Sequence, residues 1–388
     1  MLRIGFITSH NPLDKNSFSG TVYYMYHSLQ KLQNVDVEIV CQSFHSKRNM
    51  VEELLFKLGK RLAKGAGFSP LHDFLNRLKV RRFEAVLKPE IAQLKARYDI
   101  LLAPVASNII GRLKDFEKLP PIVFVTDATY TYLHENYGQP LRHEYVENEQ
   151  KTYSSAARIV FSSEYMLGLA KKTFTEQILL QPEKFTHFPF GLNLDSSVSS
   201  IIKPPLSAGV NLVFIGKDWE RKGGQEALEA LSLLTEMGIQ AHLTIIGASP
   251  DSIRETSRVT IHPFLDKNTQ VGQQQFSEVM ANSHFLLLPT KADCTPMVIA
   301  EANAFGIPAL VSNVGGIPSL VEHGVNGLLF QPDASGLEYA EVIRIWLDDP
   351  EAYRRFSATS KRVFEERLNW ESWAKNIVRN AHEILGWA

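Results

Sequence analysis

Cysteine is nearly absent. There are two in 388 residues, Cys41 and Cys294, far apart in the chain. That excludes a disulfide framework, offers no metal-ligand spacing and favours a reducing compartment. Long hydrophobic runs are missing too, and no stretch approaches the roughly 18 apolar residues a spanning helix needs. The first residues carry a short apolar run without a cleavage signature, which predicts a strand and not a signal peptide. Neither sign of charge dominates. Basic residues number 41 and acidic 42, a net charge of −1, which excludes a globally basic nucleic-acid binder. No repeat at solenoid period and no low-complexity tract is present. The cofactor fingerprints are lacking as well. The run from Gly65 to Pro70 lacks the third glycine of a dinucleotide loop and does not follow a strand. There is no Walker loop, zinc signature or D-x-D metal motif.

What is present is an ordinary globular composition, 44% hydrophobic and 21% charged. The length predicts two or three domains. Short apolar runs alternate with helical stretches in both halves, which predicts parallel α/β sheets. Strands are expected at 2–8, 35–40, 100–103, 122–126, 159–161 and 185–188, then at 211–215, 241–246, 259–262, 285–288 and 308–311. Between the two sets, 196–209 is rich in Ser and Pro and reads as a linker. Helices are expected at 225–237, 270–281, 336–347 and 350–367, and a final one carries Trp370 and Trp373 on one face.

The most informative stretch is 285–330. After the strand at 285–288 comes a polar loop, then Thr295-Pro296. Thr can cap a helix and Pro fits its first position, so a helix is expected from 296 to about 305, ending at Gly306. Asn313 to Ser319 repeats the design and predicts a second helix opening at Pro318. Two helix N-termini at one sheet edge make an anion site, to which Met297 and Val298 bring free N–H groups. Asp293 in the loop and Glu301 on the helix can accept hydrogen bonds from hydroxyls. A diphosphate with sugar and ribose hydroxyls fits that set. The alternative is an ordinary α/β unit with two surface acids.

Three further places invite ligands. Lys217, Arg221 and Lys222 lie within six residues at a strand-to-helix turn after Gly216, as a diphosphate would require. Ser19-Gly20 lies in the first strand-to-helix loop. Asp127 follows the strand at 122–126, and serves either a ligand or the cap of the next segment. The region 51–97 differs from the rest. It reads as helices, and from Lys57 to Arg97 it holds eleven basic residues against three acidic. It is either a solvated face or a patch for an anionic acceptor or anionic lipid headgroups. Leu54, Leu55, Leu58 and Leu62 recur there at helical spacing among Lys57, Lys60, Arg61 and Lys64.

The run from Asp293 to Gly306 resembles the E-x(7)-E region of the retaining glycosyltransferases of family 4. Glu301 matches the second acid. Asp293 stands where the family has Glu, and Cys294-Thr295-Pro296 where it often has Gly-Phe-Gly. Lys217 and Lys222 match the family's basic positions around that turn, and Gly20 its first loop. The resemblance implies a GT-B fold, with two Rossmann-like, doubly wound domains facing across a cleft. An acceptor domain would occupy 1–195 with an insertion at about 51–97. A donor domain would occupy 196–366, and 367–388 would cross back. The implied reaction moves a sugar with retention from a UDP- or GDP-linked donor to the hydroxyl of a glycan, lipid-linked or small-molecule acceptor, without cofactor or metal. Lys217, Lys222, Asp293 and Asp127 would be catalytic. Ser19, Gly20, Gly216, Arg221, Thr295, Met297, Val298 and Glu301 would bind the donor, and 263–266 would line its base. The expected partners are a nucleotide sugar and a glycan or lipid-linked acceptor, in the cytoplasm or peripheral on the inner face of the membrane, and no nucleic acid. An epimerase, a phosphorylase or a non-catalytic sugar-nucleotide or glycan binder stays open.

Overall fold

The computed structural model describes residues 1–15, 17–46, 70–174, 180–194, 204–248, 250 and 253–387. Leu54, Leu55, Leu58, Leu62 and the basic residues among them lie outside this set. The chain forms two compact units, Met1–Phe188 with Trp373–Ala388, and Pro189–Ser372.

The first unit is a six-stranded parallel sheet of β1 (Leu2–Phe6), β2 (Val35–Ile39), β3 (Ile100–Pro104), β4 (Ile122–Thr126), β5 (Arg158–Phe161) and β6 (Phe185–His187), in the order β2-β1-β3-β4-β5-β6. The second is also six-stranded and parallel. It holds β7 (Val210–Ile215), β8 (Ala241–Ile246), β9 (Val259–His262), β10 (Phe285–Leu288), β11 (Ala309–Ser312) and β12 (Gly327–Phe330), in the order β12-β11-β10-β7-β8-β9. Both are Rossmann-like, as the resemblance implies. Residue pattern follows position. The inner strands β3, β4, β10 and β11 are buried throughout, because helices cover both faces of a parallel sheet. The edge strand β2 alternates buried with exposed residues instead. In the second sheet Leu212, Phe214, Phe285 and Leu287 feed the core on one face, and Val213, Ile215, Leu286 and Leu288 that on the other.

The helix after β10 runs Met297–Ala304 with Pro296 as its cap residue, so Thr295 is not the cap. Pro296 keeps an extended ψ of 106° and stays outside the first turn. The helix ends before Gly306, whose φ of 63° is left-handed. Below it, two buried amides clasp. Asn326 Nδ2 donates to Asn303 Oδ1 at 2.6 Å, and Asn303 Nδ2 donates to the carbonyls of Ile307 and Asn326, each at 3.1 Å. The second expected helix is corrected. After β11 only a three-residue 3₁₀ turn forms, Ile317–Ser319. The cause is the Asn326 side chain. Its Oδ1 takes the Glu322 N–H at 2.7 Å and its Nδ2 the Leu320 carbonyl at 2.9 Å, folding the chain straight into β12.

Candidate active site

All strands of the second sheet are parallel, so the loops at their carboxyl ends leave by one edge. Strand order reverses between β7 and β10. Open sheets bind ligands in the crevice at such a point. The loops after β7 and β10 meet there, and glycines let them. A Cβ on Gly223, whose φ is 77°, would lie 1.9 Å from the Pro289 carbonyl oxygen. A Cβ on Gly216 would lie 2.8 Å from Lys222 Cγ, so the lysine stem lies close along the Gly216 backbone. Backbone bonds stitch the loops. The Arg221 carbonyl accepts from Lys291 N at 2.8 Å and from Thr290 Oγ1 at 3.1 Å. Gly316 N donates to the Asp293 carbonyl at 3.0 Å and ties in the loop after β11.

Three of the expected residues thereby come together. The Lys222 ammonium pairs with Asp293 Oδ2, and the two side chains are 12% and 8% exposed. The shorter carboxylate therefore still reaches a cation. Burying either charge alone costs several kcal/mol, so each stabilises the other here. Arg221 braces the turn. Its Nη1 donates to the Ala292 carbonyl at 2.7 Å and its Nε to Asp218 Oδ2 at 3.2 Å. Lys217 is exposed and its ammonium lies 5.9 Å from the Phe264 ring centre, in the loop after β9.

Met297 and Val298 open a helix that no side chain caps, and Thr295 is half-buried just before it. One turn further in, Glu301 is 1% exposed. Its Oε1 takes the ammonium of Lys267, from the turn after β9. Its Oε2 is buried and has no hydrogen-bond partner. A buried carboxylate oxygen without a donor costs about 1–3 kcal/mol or more, because water no longer satisfies it. The edge thus offers point charge and free N–H groups suited to a diphosphate, beside a carboxylate oxygen suited to a hydroxyl. The expected base-lining segment stops at Asp266 and misses Lys267. The signal for that lysine is positional, since it comes after β9 at the edge where the other candidates gather.

Ser19, Gly20 and Asp127 lie at the carboxyl edge of the first sheet. Phe18, Ser19 and Gly20 are left-handed in succession, with φ of 50°, 55° and 84°. Gly20 then heads the helix Thr21–Gln30, again without a side-chain cap. This loop comes after β1, whose neighbour β3 marks the strand-order reversal of the first sheet. Asp127 is half-buried after β4. The capping role open to it belongs to others. Thr129 accepts from Tyr132 N at 3.3 Å, and Glu149 accepts from Tyr130 N at 3.2 Å.

Residues 208–363 match the family described as glycosyl transferases group 1. Glycogen synthase of Mycobacterium tuberculosis is 28% identical over 174 residues, 44% of this chain and 42% of that protein. N-acetyl-alpha-D-glucosaminyl L-malate synthase of Bacillus anthracis is 27% identical over 177 residues, 45% of each chain. The chain therefore spans less than half the length of these curated relatives. Sucrose-phosphate synthase of Thermosynechococcus elongatus superposes with a TM-score of 0.65 at 14% identity, over 100% of both chains. HepE of Anabaena, in complex with UDP-glucose, does so with a TM-score of 0.62 at 15% identity, over 99% of this chain and 100% of that one. At such identities the likeness concerns the fold alone. The second unit therefore carries the match to the group 1 glycosyltransferases, and the two-sheet scaffold has the GT-B fold of these solved structures.

Proposed function

We propose that this protein is a retaining glycosyltransferase that moves a sugar from a nucleoside diphosphate to an acceptor hydroxyl, without a metal ion. The observation that carries the reading is the pair of buried carboxylates eight residues apart, each held by a lysine from another loop, with Glu301 Oε2 left unpartnered. The acceptor hydroxyl is the nucleophile, so the protein's task is to stabilise charge on the departing diphosphate. Lys217, Lys222 and the N–H groups of Met297 and Val298 supply preorganised positive potential for it. Asp293 and Glu301 take hydroxyls of the donor. The structural relative from Anabaena holds UDP-glucose, which supports a nucleotide sugar here. Asp127, Ser19 and Gly20 are the first unit's own candidate ligand residues.

The acceptor is a glycan or lipid-linked hydroxyl. A lipid-linked acceptor agrees with the helix Pro70–Leu87, where Phe74 and Leu78 are 50% and 44% exposed among Arg77, Arg81 and Arg82. Among the described residues no helix is long and apolar enough to cross a membrane. In this reading the protein works in the cytoplasm and touches an anionic inner leaflet from the side, through that helix.

A thermal-shift series with UDP and GDP, followed by donor turnover, tests the reading. A nucleotide at about 100 times its Kd adds roughly 2.7 kcal/mol of apparent stability, which raises the melting temperature. Glu301→Ala should lower donor affinity or turnover by about tenfold to hundredfold, as loss of a hydrogen bond to a charged group does. Unchanged turnover in a folded Glu301→Ala protein overturns the assignment.

A further inference from the structure

The turn after β9 holds a residue that no part of the resemblance covers. We propose that Lys267 is a positioning residue: it holds Glu301 Oε1 so that Oε2 accepts a ribose hydroxyl of the bound nucleotide. The inference rests on the nucleotide-sugar reading above.

The turn is built to present that lysine. Asp266 Oδ1 accepts from the Asn268 backbone N–H at 3.0 Å and from Asn268 Nδ2 at 2.9 Å. The Asp266 carbonyl accepts from Thr269 N at 3.0 Å and from Thr269 Oγ1 at 2.9 Å. Gln273 Nε2 donates to the Lys267 carbonyl at 2.8 Å. Thr269 then caps the helix Gln270–Asn282, accepting from Gly272 N at 3.0 Å. Gly272 is required there, because its Cβ would lie 2.1 Å from the Asp266 carbonyl oxygen. The backbone of Lys267 is therefore fixed on both sides. Its ammonium lies 5.0 Å from the centre of the Phe276 ring, itself buried, and ends on Glu301 Oε1.

The carboxylate is fixed at one oxygen only. Glu301 projects from the helix Met297–Ala304, whose far end the Asn303–Asn326 clasp holds. Without Lys267 the carboxylate has two equivalent ways to face an incoming hydroxyl. With it, one oxygen is occupied and the other is the sole acceptor. A hydroxyl can donate to that oxygen, whereas a phosphate oxygen would meet like charge. Lys267 thus converts a buried acid into a single directed acceptor. A lysine present only for stability would not discriminate among nucleotides that differ by one hydroxyl.

The test uses the full chain and calorimetry with UDP, GDP and their 2′-deoxy and 3′-deoxy forms. The wild type should bind one ribonucleotide and lose about tenfold or more on removal of the hydroxyl that Glu301 takes. Lys267→Met should weaken the ribonucleotide by about tenfold and the matching deoxynucleotide little, so that the discrimination collapses. Lys267→Arg should restore it. If Lys267→Met does not fold, Lys267→Leu, which likewise cannot donate to Glu301, takes its place. Equal weakening of both nucleotides, or none of either, overturns the role of Lys267 and leaves the nucleotide reading intact. A wild type that binds neither UDP nor GDP overturns both.

Discussion

Glu149 shows how burial alone sets the behaviour of a single side chain. It is 2% exposed on the helix His143–Ser155 and accepts from Tyr130 N and from Tyr153 Oη, the latter at 3.2 Å. Burial disfavours its charged form and pushes its pKa up from 4.5 to about 8, although both hydrogen bonds pull the other way. The folded state therefore holds a proton that the unfolded state has released. The stability linked to this group is full below about 4.5 and is lost as pH rises toward about 8. His45 acts in the opposite direction. Burial, then the Lys79 charge, lowers its pKa from 6.5 to about 4, so its contribution is present above 6.5 and lost as pH falls toward 4. Stability should accordingly decline from pH 6.5 to 8. Glu149→Gln should remove most of that decline, a gain on the order of a few kcal/mol at pH 8. Denaturant midpoints at pH 6, 7 and 8 for both proteins check it. A wild type and a variant with parallel profiles would show that Glu149 is not the titrating group.

At the scale of elements, the candidate site depends on how closely two loops approach. Gly223 is the pivot, left-handed and pressed on the Pro289 carbonyl. Gly223→Ala should cost about 1–2 kcal/mol for the backbone conformation. It should cost more for the overlap, and it should weaken nucleotide binding by separating Lys222 from Asp293. Gly138→Ala is the control. Gly138 has φ of 64° but nothing within 4 Å of a built Cβ, so only the backbone cost applies and binding should hold. Melting temperatures and nucleotide affinities of the two variants distinguish them. The helix Pro70–Leu87 sets a second expectation. Phe74, Leu78, Arg81 and Ala85 are the exposed stripe of its described side chains, and the exposed Lys88 follows its end. Each basic residue near an anionic surface contributes about 1 kcal/mol, and salt weakens it. The protein should sediment with anionic vesicles at low salt and be released at high salt. Changing Phe74 and Leu78 to Ser and Arg81 to Gln should reduce the bound fraction. Retention of the wild type in the supernatant at low salt assigns the stripe to solvent or to a water-soluble acceptor.

For the molecule as a whole, each unit carries one sheet whose carboxyl edge gathers the candidate residues at a reversal of strand order. The chain leaves the first unit after Phe188 and re-enters it at Trp373. The final helix, Trp370–Leu385, thus starts in one unit and ends in the other. At its start Trp370 Nε1 donates to Asn193 Oδ1 at 3.0 Å and its ring stacks on Phe190 at 5.7 Å. If the positive charge for the leaving group comes from Lys217, Lys222 and a helix N-terminus, turnover needs no divalent ion. Activity should persist in excess chelator, and added magnesium should change it by less than about twofold, well under the tenfold that 1.4 kcal/mol of transition-state stabilisation would give. Complete loss in chelator with recovery on magnesium would place a metal in the reaction.

The order of amino acids was enough to specify eleven of the twelve strands of the described residues and their parallel arrangement, but not the edge strand β12 (Gly327–Phe330). Apolar runs such as Phe285–Leu288 are bounded by Gly, Pro and polar loops, and a strand buried on both faces needs nothing else to declare it. The acid and basic positions of the second unit were legible for the same reason, since they sit in loops whose place is set by strand order. The cap at Thr295, the helix at Pro318 and the partner of Glu301 were not. Local propensity favours Thr as a cap and Pro as a helix opener, but Pro296 kept its extended ψ. The Asn326 side chain claimed the backbone groups at Leu320 and Glu322 for a turn into β12. The pairing of Lys222 with Asp293 and of Lys267 with Glu301 spans 71 and 34 residues. Such pairs are settled by the packed fold, because burial leaves each carboxylate to whichever cation the sheet edge brings within reach.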